Sequence, residues 1–215
     1  MLDIIFFAII AAVIGFRLYN TLGRKDFEHE NHKNVVTFPK SDKEIETSYV
    51  ELSPSEDEDL EEKFGKKLAA SIREIRRHDP SFAVESFLNG AKRAFEIILK
   101  SFSGGDKAAL KPLLSKEVYK NFANEIDNRE KEGRVEETTL LAIPSSTIKN
   151  IVLKKKYVQI AVQIVSEQIN IIRDKKGKII AGDPSHVDTV EEIWTFGRDL
   201  SSKNPNWELM ETSAV

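Results

Sequence analysis

Near Gly133 the spacing of apolar residues changes from 3.6 to 2 and does not change back. Before that point, Val84, Phe87, Leu88, Ala91, Ala94, Phe95, Ile98, Leu99 and Phe102 form a wide helical stripe ending at Gly104-Gly105. Asp79 or Ser81 is the expected cap of that helix, with Pro80 in its first turn. Asp106 suits the start of a short helix near 108–114, and Ser115, Val118, Phe122 and Ile126 begin another that stops near Gly133. After it, residues 138–153, 156–174, 178–199 and 206–215 read as four strands, with turns at 175–177 and 201–206. Helices first and an antiparallel meander second predict an α+β domain with the helices on one side of a sheet of about four strands.

The chain ahead of that domain is of a different kind. Ile4 to Phe16 carries no polar side chain, and a helix from Leu2 to Leu22 is long enough to cross a bilayer. No basic residue precedes the run and no small-residue cleavage site follows it, so an uncleaved anchor at 1–22 is expected. Arg17, Arg24 and Lys25 on its C-terminal side predict a single-pass topology, N-terminus outside and the remainder cytoplasmic. Residues 23–62 lack a sustained apolar period and are expected to form an acidic, disordered tether.

The formal net charge of −3 is unevenly spread: residues 40–63 hold ten acids against three bases, a balance of −7. Residues 63–78 form a basic amphipathic helix, with Phe64, Leu68, Ile72 and Ile75 at helical spacing among Lys66, Lys67, Arg73, Arg76 and Arg77. Such a helix either lies on an anionic membrane or docks its apolar side on the domain at 79–215.

Chemistry-bearing motifs are absent. The 215 residues contain no cysteine, which excludes disulfides, a thiol nucleophile and thiolate metal sites, and the four histidines are scattered. No nucleotide-binding, zinc-protease or serine-hydrolase signature occurs, so no catalytic residue, metal or cofactor is expected. Asp183-Pro184-Ser185-His186 reads as a loop, and Asp188, Glu191 and Glu192 as solvent-facing strand positions unless one is a buried acid. Lys154, Lys155 and Lys156 lack interleaved aromatics, which argues against nucleic acid. Phe87, Ala91, Phe95, Trp194 and Phe196 are either core or the lining of an apolar cavity between helix and sheet.

Three stretches carry a resemblance: residues 87–126, with GAK, GGD and LLSKEVY; 172–184, with GKIIAGDP; and 190–213, with WTFGRD and NPNW. In that order they resemble the C-terminal domain of the Tim44-like family, the mitochondrial inner-membrane import adaptors, and the anchored layout resembles the family's alphaproteobacterial members. The resemblance implies a cone-shaped α+β domain like nuclear transport factor two, with a curved antiparallel sheet and a large apolar pocket. It implies a non-enzymatic adaptor at a bacterial inner membrane, in contact with anionic phospholipid and with a protein partner such as a chaperone or translocation component. It also favours membrane contact for the 63–78 helix. A protein that binds lipid or a small ligand in its pocket is the alternative, and an enzyme on the same cone the third reading.

Overall fold

The computed structural model describes residues 54–215, with side chains from residue 59 onward. Four helices come first: α1 (Pro54–His78), α2 (Val84–Ser103), α3 (Lys107–Leu110) and α4 (Lys116–Glu132). Five strands follow: β1 (Val135–Lys154), β2 (Tyr157–Arg173), β3 (Ile179–Gly182), β4 (Asp188–Asp199) and β5 (Glu208–Ala214). The α+β class expected from the change of period is therefore present.

All strand pairings are antiparallel, in the order β1-β2-β4-β5. β2 is the central ribbon, and its even-numbered residues Val158, Ile160, Val162 and Ile164 are buried under the helices. β1 is a long edge strand that bends, with register shifts at Leu140/Ala142, Ala142/Ser145 and Ile148/Asn150. Pro144 falls inside this irregular stretch, where a missing amide donor is tolerated at a sheet edge. At the opposite edge the chain entering α4 covers β5. The Ser115 amide donates to the Leu209 carbonyl at 3.0 Å, and the Leu209 amide to the Leu113 carbonyl at 2.8 Å.

Local chemistry sets the helix limits. The Ser115 hydroxyl accepts from the Val118 amide, the Asp106 carboxylate accepts from the Ala109 amide, and Gly133 closes α4 in the left-handed conformation. One core then joins Ile72 and Ile75 of α1, Phe87, Ala91, Phe95 and Ile98 of α2, Val118, Phe122 and Ile126 of α4, and Trp194, Phe196 and Leu209 of the sheet.

Three expectations are corrected. The stretch 178–199 is two strands, because Gly182 turns at φ +81° and a Cβ there would lie 2.1 Å from the Asn170 carbonyl oxygen. β3 and β4 consequently share one edge of β2, at Ile171–Arg173 and Tyr157–Gln168. α2 begins at Val84 after Ala83, with no side-chain cap. Asp79 instead accepts from the Ser81 amide in a local turn, and its second oxygen lies 3.0 Å from Arg198. Finally, α1 starts at Pro54, so residues 54–62 are helical rather than tether, ahead of a break in the helix at Gly65. The anchor expected at 1–22, its orienting residues Arg17, Arg24 and Lys25, and residues 23–53 lie outside the described residues. Among the described residues no helix is long and apolar enough to cross a membrane.

Candidate functional site

α1 was expected to offer an apolar side to a membrane. Ile72 and Ile75 are fully buried in the domain core, and Phe64 and Leu68 pack against it half-buried. The structure thus corrects the membrane reading of Ile72 and Ile75, whose burial is already satisfied by the domain, the other placement expected for this side, while Phe64 and Leu68 keep part of their surface exposed. The cations lie outside that contact and divide into two groups. Lys66, Lys67 and Arg77 are exposed, Arg77 beside Glu74 at 2.7 Å. Arg73 and Arg76 are half-buried: Arg73 sits 3.0 Å from Glu61, and Arg76 Nε donates to the Phe82 carbonyl at 3.2 Å.

The five residues expected to line an apolar cavity are packed on one another. Phe95 and Trp194 meet edge to face at 4.7 Å between ring centres, Phe87 and Phe196 at 6.2 Å, and Ala91 is buried between the helix and the sheet. Trp207 closes the cluster 4.7 Å from Phe87. These rings are core. A cavity of about 690 Å³ does exist, but beside them, between α2 and β1. Its walls are Lys92, Glu96, Leu99 and Lys100 of α2 and residues 138–143 of β1, so none of the five lines it.

One acid does turn inward. Glu192 lies on the helix-facing side of β4 between Ile164 and Ala214, and burial pushes its carboxyl up to about 7. The Trp194 indole N–H, two residues on and buried without a well-formed hydrogen bond, partly offsets that shift. A carboxyl half-protonated near neutrality has the proton affinity of a general acid or base. The Asp183 loop is a turn: the Ser185 amide and hydroxyl both donate to the Asp183 carboxylate, at 2.8 and 2.7 Å, and hold it below the usual range. His186 is exposed, with its imidazole 3.4 Å from Asp188 and its amide donating to the Asp183 carbonyl. Among the described residues no cluster of acids and histidines could hold a metal ion.

Sequence reasoning missed a buried ionic cluster. Arg129, on the last turns of α4, pairs with Glu136 at the start of β1, donates to the Phe102 carbonyl and lies 4.4 Å over the Phe102 ring. Arg134 adds a second cation 3.9 Å from Glu136. The only sequence signal was Arg129 falling in line with Val118, Phe122 and Ile126 on the buried side of α4.

The model of the Tim44-like domain matches residues 68–214, more than half of the chain. The chain belongs to the Tim44-like domain family. It is 28% identical over 162 residues to the mitochondrial import inner membrane translocase subunit TIM44-1 of Arabidopsis thaliana, covering 72% of this chain and 34% of the relative. It is 22% identical over 151 residues to subunit TIM44 of Homo sapiens, covering 69% of this chain and 33% of the relative. The chain thus spans about a third of the length of these relatives. Among solved structures, the intermembrane space region of the chloroplast protein ARC6 aligns with a TM-score of 0.42 at 14% identity, over 60% of this chain and 95% of that one.

The stretches that suggested the Tim44-like family turn out to hold the fold. In WTFGRD, Trp194 and Phe196 are core and Arg198 fastens the loop between α1 and α2 through Asp79. In NPNW, Trp207 packs on Phe82 and Phe87 and carries the Arg198 guanidinium 5.9 Å over its ring. The GDP turn needs Gly182 for its close approach to β2.

Proposed function

We propose that this protein is a membrane-anchored, non-enzymatic adaptor. Its helix-and-sheet domain holds a protein partner, a chaperone or translocation component, at the cytoplasmic face of a bacterial inner membrane. The observation that carries the reading is the family match along residues 68–214, together with relatives whose names are those of inner membrane translocase subunits. The apolar run Ile4 to Phe16 supports the anchor, and Lys66, Lys67 and Arg77 support contact with anionic headgroups close to it. An anchor adds effective concentration, so a domain on a short tether needs only weak further contacts with lipid or partner.

Alkaline extraction of membranes tests the anchor: the full chain stays in the pellet, and its release to the supernatant overturns the anchor. Crosslinking in intact membranes then tests the adaptor, which requires capture of a chaperone or translocase component; capture of neither rejects that partner class.

The cavity between α2 and β1 favours a second reading, a lipid- or small-ligand-binding protein, because Leu99, Leu140 and Ile143 share it with two cations, Lys92 and Lys100, against one acid, Glu96. An amphiphile with an anionic end matches that lining. Native mass spectrometry with added phosphatidylglycerol tests it: lipid held by the parent and lost when Lys92→Glu and Lys100→Glu are combined supports the second reading, and lipid absent from the parent or kept by the double variant removes it.

A further inference from the structure

α1 is not one straight rod. At Gly65 the backbone takes φ 75° and ψ 160°, a conformation that glycine alone adopts readily. In an unbroken helix Glu61 and Arg73 would stand about 18 Å apart along the axis, too far for two side chains to meet. Their charged groups are 3.0 Å apart. Leu60, ahead of the bend, is buried in the same core as Ile72 and Ile75 beyond it. The two halves of α1 are therefore folded toward each other at Gly65, and they carry opposite charge. Residues 54–62 hold six acids and no base, whereas residues 66–77 hold Lys66, Lys67, Arg73, Arg76 and Arg77 against Glu74 alone.

We propose that the acidic half of α1 is an intramolecular stand-in for an anionic surface: folded back at Gly65, it engages Arg73 and screens the neighbouring cations until an anionic bilayer displaces it. This rests on the membrane contact of α1 argued above and adds its regulation. The Glu61–Arg73 pair is partly exposed on both sides, and such pairs are weak and sensitive to salt, so a charged leaflet can exchange with it. Once displaced, the acidic half is a short isolated helix, which is marginal in water and frays. Displacement therefore has a signature in backbone exchange that is separate from lipid contact.

The test uses the full chain reconstituted in vesicles of phosphatidylcholine, with or without phosphatidylglycerol. Because the chain has no cysteine, a dye at Ala70→Cys, an exposed position of the basic half, reports quenching by nitroxide lipid. Hydrogen exchange of residues 55–64 reports the arm. With phosphatidylcholine alone the arm is protected and the dye is unquenched; phosphatidylglycerol speeds exchange about tenfold and quenches the dye. Glu61→Lys shifts both responses to lower phosphatidylglycerol content. Gly65→Ala, which cannot hold the bend without strain, loses arm protection in phosphatidylcholine alone. Quenching with unchanged arm protection overturns the competition while leaving the membrane contact standing. Absence of quenching in both the parent and Glu61→Lys overturns the membrane contact and the competition with it. Retained protection in Gly65→Ala overturns the hinge.

Discussion

The two halves of β2 lie on one face of one strand and are filled in opposite ways. From Val158 to Ile164 the inward residues are aliphatic and meet the rings of Phe87, Phe95, Trp194 and Phe196. From Ser166 to Asn170 the inward residues are Ser166, Gln168 and Asn170, all buried, and the adjoining end of the fold is fastened by Arg129 and Glu136. The first half gains by removing apolar area from water; the second must satisfy each polar group it buries. The contrast teaches that this domain has one apolar core and, at its other end, a polar clasp. The α2–β1 cavity lies along residues 138–143 of β1, and Thr138 and Leu140 pair with Asn170 and Gln168 at that polar end.

The sharpest way to break the apolar half is to empty it. Phe95→Ala or Trp194→Ala is expected to cost about 3 to 5 kcal/mol in denaturant unfolding, because neither ring has solvent to fall back on. A loss under 1 kcal/mol would mean that the rings border a void, as an apolar cavity at these residues requires. Next comes the clasp. Glu136→Gln leaves the Arg129 charge buried beside Phe102 without its carboxylate and is expected to cost about 3 kcal/mol. The double change Arg129→Met with Glu136→Leu should recover most of that loss, since a buried pair replaced by packed apolar groups is often near neutral. Failure of the double variant to recover would make the pair a source of net stability.

These two halves also differ in how far they could be read from the sequence. The apolar stripes of α2 and α4 and the alternation of β2 follow directly from burial, so helix order, antiparallel pairing and most of the core were legible. The membrane reading of Ile72 and Ile75 failed because amphipathicity shows that a side is buried but not against what. Phe87, Phe95, Trp194 and Phe196 were visible as an inward cluster, but whether rings touch or line a space depends on distances that no spacing encodes. Arg129 was illegible as a core residue because a basic side chain at a buried helical position looks like any solvated cation until Glu136 is brought to it across the Gly133 turn. The bend of α1 at Gly65 was equally hidden, since a lone glycine within a helical pattern is ordinarily tolerated.

Glu192 sits at the boundary between the halves and gives the comparison a pH axis. Its folded pKa, about 7, is raised above its ordinary value by burial, so between roughly pH 4.5 and 7 the folded state binds a proton that the unfolded state has released. The sign follows: this contribution is fully present below the unfolded value and is lost as pH rises through the folded one. Stability should fall by up to about 3 kcal/mol over that window and level off above it. Glu192→Gln, which keeps the shape and cannot ionise, should flatten this part of the profile. An unchanged slope in the variant would place the Glu192 carboxyl in contact with solvent.

The smallest effect is expected within the polar strip. Gln168 Nε2 donates to the Ser166 hydroxyl at 2.7 Å, and both side chains are buried. Ser166→Ala strands that donor away from water and is expected to cost about 1 to 2 kcal/mol. Ser166→Ala combined with Gln168→Leu removes donor and acceptor together, and such paired replacements are nearly neutral when the shape is kept. If thermal unfolding ranks the double variant level with the parent and the single variant below it, the strip is a self-satisfied patch whose polarity the fold does not require. A double variant as unstable as the single one would mean that the aliphatic side chain does not pack there, and that the polar half of β2 is shaped around its hydrogen bonds as firmly as the other half is around its rings.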